Sequence, residues 1–356
     1  LFKRMKFGPM TDVLWYVPPA LLDDYIDTTV TPLFELHPDI EAKVGKGKSD
    51  NKRGLKKVGG KFVRWLAAQP AKFVGKQAPL IVADEIDILP KKLRSNIRQQ
   101  IGFRQRAFGT QGKSYLCSHP DAGWNDGIAA IWQESSRGIW FWPCPQCTQW
   151  SSPCPTADWR MKLSFERPKG MAADELLDHV ERTACLICPH CGGVILDADK
   201  AEMLSLGKWV FEGQTIALDG TVTGEIKPNE TQGFWIHGTM SPLVSFGKLA
   251  RGYVGALVVF EKTGKTDRLK EETAKSLGEV YEGPSGRRVD LKRLQARMDA
   301  DAADQGDDDY NVGEVPEGVR FITASVDVGG NKFDTAFWGW GADSECWLIA
   351  RETHTA

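Results

Sequence analysis

Read for its apolar and polar positions, the chain sets short unbroken hydrophobic runs between polar, glycine-bearing stretches. Val13–Val17 is one such run, stopped by Pro18-Pro19. Leu80-Ile81-Val82-Ala83 is another, and it shows none of the in-out alternation of a half-buried strand. A run of that kind predicts a strand covered on both faces, as in a parallel sheet. Lys61–Leu66 and Ser114–Ser118 read as further strands. Ala20–Leu36 and Leu93–Phe103 carry helical spacing, the first with a break or kink at Pro32. Leu291–Met298 also reads as a helix, and a new strand series opens at Phe321. Strands alternating with helical segments predict an α/β fold around a parallel sheet.

The chemistry begins where the Leu80–Ala83 run ends. Asp84 and Glu85 follow it directly. Open α/β sheets place ligands at the carboxyl ends of their strands. An acid there can hold Mg²⁺, and the next can orient or deprotonate the water that attacks a γ-phosphate. The plain alternative is a core strand followed by a solvated acidic turn. A phosphate loop should accompany the acid pair. With the first Gly relaxed to Ala, Ala42–Ser49 and Ala107–Ser114 match its string. Such a loop works between a strand and a helix, so that backbone N–H groups face the phosphates. Neither match has that context. The chain opens on Leu1 rather than Met, and the expectation is that the phosphate loop lies upstream.

Composition narrows the picture. The chain has 356 residues, 42% hydrophobic and 26% charged. That length predicts two or three domains. No apolar run reaches a membrane span and no signal peptide is apparent. Net charge is −2, so nucleic-acid contact would need a local patch. Lys43 to Lys61 supplies one, with eight basic residues and one acid. It reads as an exposed, mobile basic loop, either a phosphate-backbone contact or a solvated surface.

Cys144-Pro145-Gln146-Cys147 and Cys188-Pro189-His190-Cys191 form two Cys-x-x-Cys knuckles. Two intervening residues let both sulfurs reach one tetrahedral Zn²⁺ at about 2.3 Å. The 40 residues between the knuckles exceed ordinary ribbon spacing, but loop-closure cost grows only logarithmically with length. Cys185 and Cys154 are alternative ligands, and buried free thiols are the plain reading. Near the C-terminus, Phe321–Gly330 reads as a strand ending in an acid, Asp327, and a Gly turn, followed by strands at Phe337–Trp340 and Cys346–Ala350. An acid on the first of three successive strands matches the start of an RNase-H-like sheet, whose nucleases clamp reacting oxygens with two metals. Asp327 alone also reads as a turn residue.

Taken in this order, these pieces resemble the large terminase subunit of tailed phages, the lambda-type GpA family. The resemblance covers essentially the whole chain. The segment Lys113–Pro120 looks like that family's coupling motif, a strand ending in Ser/Thr-x-Pro. Phe234–Phe246 and Leu277-Gly278-Glu279 also resemble family segments. The resemblance implies an ATP-driven motor that packages concatemeric double-stranded DNA into a procapsid, with a nuclease that cuts it. It implies Asp84 on Mg²⁺ of bound ATP, Glu85 as activator of water and Ser118 as γ-phosphate sensor. Arg104 and Arg106 become phosphate or DNA contacts, and Asp327 a Mg²⁺ or Mn²⁺ ligand. The implied partners are the small terminase subunit, the portal and further copies of the chain, in the host cytoplasm at the portal vertex.

By this reading, 1–139 is a truncated motor domain with an incomplete P-loop-type sheet, and 140–200 a zinc-ribbon-like insertion on Cys144, Cys147, Cys188 and Cys191. Residues 201–298 connect, 299–318 are an acidic linker, and 319–356 begin an RNase-H-like nuclease. Val328-Gly329-Gly330 follows Asp327 where the family usually has a Gln. The competing readings are a non-enzymatic zinc-ribbon DNA-binding protein, worked by the knuckles and Lys43–Lys61, and a helicase-like ATPase.

Overall fold

The computed structural model describes residues 5, 11–73, 75–283, 313–328, 332–342 and 346–355. The expected helix at Leu291–Met298 and most of the expected acidic linker lie outside these residues. The chain divides into two compact units, Leu1–Gly286 and Arg287–Ala356.

The first unit is built on a six-stranded sheet. Its strands are β1 (Val13–Val17), β2 (Asn51–Lys52), β3 (Leu55–Val58), β4 (Lys61–Ala67), β5 (Leu80–Ala83) and β6 (Lys113–Leu116), in the order β2-β3-β4-β1-β5-β6. β4, β1, β5 and β6 run parallel. Alternate side chains enter two cores. Leu14, Tyr16, Ile81 and Ala83 face one with Phe73, Ile97 and Ile101. Val13, Val63, Trp65 and Leu80 face the other with Ile26, Val30 and Phe34. Each fully covered aliphatic side chain contributes about 1.5–3 kcal/mol, which is why β1 and β5 carry no polar positions. β6 is the edge strand, and Lys113, Ser114 and Tyr115 on it are exposed.

One local expectation is corrected here and another made specific. Lys43–Lys61 is not a mobile loop. It contains the β2–β3 hairpin, joined antiparallel to β4, with Val58 fully buried. Arg53 is held by Asp23 and Asp27, and Lys57 by Asp50. The helical stretch after Ala20 widens into a π turn at Ile26–Val30 before resuming at Thr31–Glu35. Pro32 has no N–H to return to the preceding turn, so the ladder adjusts around it.

The remainder of this unit surrounds the cysteines. β7 (Gly138–Pro143) turns back antiparallel into β8 (Trp150–Ser151). β9 (Lys162–Ser164), β10 (Cys185–Ile187) and β11 (Val194–Ile195) form a small antiparallel sheet. β12 (Lys208–Val210) pairs with β7 antiparallel and is followed by the short hairpin β13 (Thr215–Ile216) and β14 (Val222–Thr223). β15 (Phe234–Trp235) then pairs with β7 parallel. Within residues 201–283, β12 and β15 add two strands to β7 beside the first knuckle. Trp132, Trp142, Trp235, Met203 and Phe246 share one core with Cys144 and Cys188. Leu176 and Val180 of the Ala173–Thr183 helix pack on Ala250 and Val254 of the Phe246–Thr263 helix. Ser245 caps that second helix by accepting from the Lys248 N–H, a contact worth about 1 kcal/mol.

The second unit is an antiparallel sheet, β16 (Phe321–Val328), β17 (Lys332–Trp340) and β18 (Cys346–Thr355), in that order.

Candidate functional site

The carboxyl end of β5 is held in place by its neighbours. The Asp84 N–H donates to Tyr16 O at 2.9 Å, extending the ladder one residue past the strand. Glu85 then turns the chain in the left-handed region (φ 49, ψ 49). That conformation costs a non-glycine residue roughly 1–2 kcal/mol, so the surroundings must enforce it. Asp87, only 3% exposed, does much of this. Its carboxylate accepts from Ala122 N at 2.9 Å and Ile128 N at 2.6 Å. Burial raises the Asp87 carboxyl above its usual range, against the pull of those N–H donors. Gly127 (φ +62) is required beside it, since a Cβ there would lie 2.3 Å from Asp87 Oδ1. Arg94 donates to Asp87 O and Leu89 O and pairs with Asp126 at 2.7 Å.

The end of β6 forms the second wall. Ser118 Oγ accepts from the Asp87 N–H at 3.0 Å, so the coupling-like serine is bonded into the turn that follows Glu85. Cys117 Sγ donates to Asp84 Oδ1 at 3.1 Å. Crowding by protein, then the Asp84 and Glu85 carboxylates, push the Cys117 thiol up to about 12, although part of its surface stays open. It remains protonated and acts as a donor. His119 Nδ1 stands 3.3 Å from Glu85 Oε1. The pairing holds Glu85 below the usual carboxylate range and raises His119. A cavity of about 300 Å³ opens between Ser118–Pro120, Trp132 and the Phe234–Ile236 segment. The site thus offers two adjacent carboxylates, both half-buried, at the tip of an interior strand. Acceptor-only oxygens of this kind suit a hard cation such as Mg²⁺.

Other sequence candidates fall elsewhere. Gln105, between Arg104 and Arg106, donates to Pro79 O and Lys113 O, at the amino ends of β5 and β6. Arg106 lies over the Phe103 ring, while the Arg104 charge reaches Tyr16 of β1 and opposes the burial that raises its phenol. In Ala42–Ser49 the Asp50 side chain packs against Gly45 and Gly47, placing an acid where a phosphate would sit. Ala107–Ser114 is a 3₁₀ turn running into β6. Neither forms a phosphate loop.

The cysteines do converge. The Sγ atoms of Cys144, Cys147, Cys188 and Cys191 all lie within 4.8 Å of one another. Cys144 and Cys191 are 3.9 Å apart, Cys147 and Cys188 3.7 Å. Four thiolates at about 2.3 Å from one tetrahedral ion would be about 3.8 Å apart. Each knuckle sits in a hairpin turn, between β7 and β8 and between β10 and β11. Left-handed residues close both, Thr148 (φ 61) in the first and Gly192 (φ 71) in the second. Backbone N–H groups of Gln146, His190 and Gly193 point at Cys144, Cys188 and Cys191. Burial pushes the Cys188 thiol up to about 12, whereas the Gly193 N–H lowers Cys191. Cys185 and Cys154 stand outside the cluster. Cys154 is buried and reaches Trp235 O at 3.5 Å.

Two contacts were not foreseen, the first between the two family-like segments at Phe234–Phe246 and Leu277–Glu279. Glu279 Oε1 meets His237 Nε2 at 2.7 Å and also pairs with Arg160, joining the cysteine region to the segment after β15. In the second unit Asp334 on β17 stands directly opposite Asp327 on β16. Directly opposed residues share one sheet face, so Asp327 is not the lone acid there.

Residues 3–209 match the family model described as phage terminase large subunit gpA, ATPase domain. The chain belongs to the phage terminase large subunit gpA family. Residues 231–355 match the terminase large subunit gpA endonuclease domain, so that match opens at residue 231 rather than near 319. The chain is 26% identical over 172 residues to the terminase large subunit of Escherichia phage lambda, covering 47% of this chain and 24% of that protein. It is 22% identical over 351 residues to that of Enterobacteria phage P21, covering 95% and 50%. The chain thus spans half or less of the length of these relatives. The crystal structure of the HK97 bacteriophage large terminase aligns with TM-score 0.37 and 11% identity, covering 99% of this chain and 55% of that one. At that likeness the α/β assignment rests on the sheet itself.

Proposed function

We propose that this chain carries the hydrolytic face of an ATP-driven DNA-packaging motor together with the opening strands of its nuclease. The observation that supports it is the Asp84–Glu85 pair at the tip of interior parallel strand β5, with Ser118 of β6 bonded into the same turn. In this reading the sheet is of the P-loop NTPase type. Asp84 holds the Mg²⁺ of bound nucleotide, which neutralises phosphate charge when present. Glu85 orients the attacking water and takes its proton. Ser118 reports the γ-phosphate to the turn through the Asp87 N–H. The four-cysteine cluster holds a structural Zn²⁺ in a ribbon-like module. Asp327, with Asp334 beside it, contributes to a Mg²⁺ or Mn²⁺ site for phosphodiester cleavage on an RNase-H-like sheet. The substrates are ATP and concatemeric double-stranded DNA. The partners are the small subunit, the portal and further copies of the chain, in the host cytoplasm. Both matched family models describe enzyme domains, and nothing favours a zinc ribbon without chemistry.

The test is ATP turnover in the terminase large subunit. Glu85→Gln is expected to lower kcat by about 10²–10⁴-fold with ATP binding retained. Undiminished turnover removes Glu85 as the base.

A further inference from the structure

We infer that His119 is a positioning residue for Glu85, fixing one carboxylate oxygen so that the other is presented to the attacking water. The inference rests on the reading of Glu85 as the base. Three observations carry it. Nδ1 of His119 is shielded from solvent and has no aligned hydrogen-bond partner. The acid it faces is Glu85, with Oε1 at 3.3 Å, so a small rotation of the carboxylate completes the bond. Catalytic hydrogen bonds are often loose before substrate binds and tighten in the complex. The His119 backbone is itself fixed. Ser118 before it is bonded to Asp87 N, Pro120 after it is buried, and its carbonyl accepts from Asp121 N at 2.8 Å.

The other charged groups on this side are already paired. Asp121 is held by Lys270 at 3.3 Å, and Lys275 by Glu271 at 2.7 Å. Among the side chains that act on Glu85, His119 has the largest effect, ahead of the Lys275 charge and the Ser118 hydroxyl. A free glutamate side chain spends about 1.5–2 kcal/mol of rotamer freedom when it is fixed. A rigid imidazole on a fixed backbone supplies that restraint in advance. The ring touches the base rather than the phosphates, so its effect belongs to kcat and not to nucleotide affinity.

The test uses steady-state ATP hydrolysis by the terminase large subunit, with melting temperature as the folding control. His119→Ala is expected to lower kcat by about 10- to 100-fold with KM for ATP unchanged. His119→Gln, which keeps a donor near the same place, recovers part of the loss. In a Glu85→Gln background, His119→Ala adds no further loss to the residual rate. An unchanged or raised kcat in His119→Ala, a rise in KM alone, or an additive loss in that background overturns the inference. A dead Glu85→Gln beside an unaffected His119→Ala defeats the inference only. A wild-type rate in Glu85→Gln defeats the base and the inference together.

Discussion

β5 and β16 begin from the same kind of sequence, an apolar run with an acid at its end, and they finish in different surroundings. β5 lies between β1 and β6, and all four of its side chains are buried. Its acidic tip is fixed by Asp87, Ser118, Cys117 and His119. β16 has one neighbour, and all eight of its residues are exposed among the described residues, including Phe321, Ile322, Val326 and Val328. A carboxylate at a strand end becomes a site through what restrains it. At Asp84–Glu85 the restraint comes from Asp87 close by and from Cys117, Ser118 and His119, each more than 30 residues away in sequence. At Asp327 the facing group is Asp334, itself bonded by Thr353, and like charges directly opposite destabilise a sheet unless a cation lies between them.

The largest expected effect separates the two units by metal. A structural Zn²⁺ contributes on the order of 10 kcal/mol to folding. A strong chelator should therefore strip hydrogen-exchange protection from β7, β8, β10 and β11 and leave β16–β18 unchanged. Equal loss in both units, or none, would break the contrast. The next test places one substitution in both strands. Ile81→Asp buries an unpaired acid in β5 and is expected to cost about 4 kcal/mol or more. Val326→Asp, at a position 56% exposed, should stay within about 1 kcal/mol. Denaturant unfolding reads both, and similar losses would show that β16 is covered.

A smaller effect comes from Glu279. Burial alone would raise its carboxyl, but His237 and Arg160 outweigh burial and hold it below the usual range. A carboxyl whose pKa falls on folding adds stability above its unfolded pKa. That contribution is lost as the pH drops through the folded value. Glu279→Gln should therefore cost about 2 kcal/mol near neutrality, with the difference closing toward acid pH. A pH-independent difference would contradict the charge pairing.

The strands and the cysteine cluster were legible because their signals are local. An unbroken apolar run states its own burial, and two residues between thiols state a shared ligand. Cys144, Cys147, Cys188 and Cys191 meet as their spacing implied, although a helix and three strands lie between the knuckles. The restraints on Glu85 were not legible. His119 lies 34 residues away, and the contact depends on how β6 aligns with β5 and on a left-handed turn at a non-glycine residue. Arg104 and Arg106 were chosen by their place after the acid pair, and position alone did not foretell that Arg106 lies over the Phe103 ring. The Lys43–Lys61 segment read as a loop because its charges obscured a hairpin whose inward anchor is Val58.

The central claim is that the β5 tip hydrolyses ATP and the β16 acids cut DNA, as two separable sites. The most direct measurement assays ATP turnover and DNA cleavage side by side in the terminase large subunit carrying Glu85→Gln or Asp327→Asn. Glu85→Gln should lose ATP turnover and keep ATP-independent nicking, while Asp327→Asn should lose cleavage and keep ATP turnover. Loss of both activities in each variant, or of neither, would contradict the account.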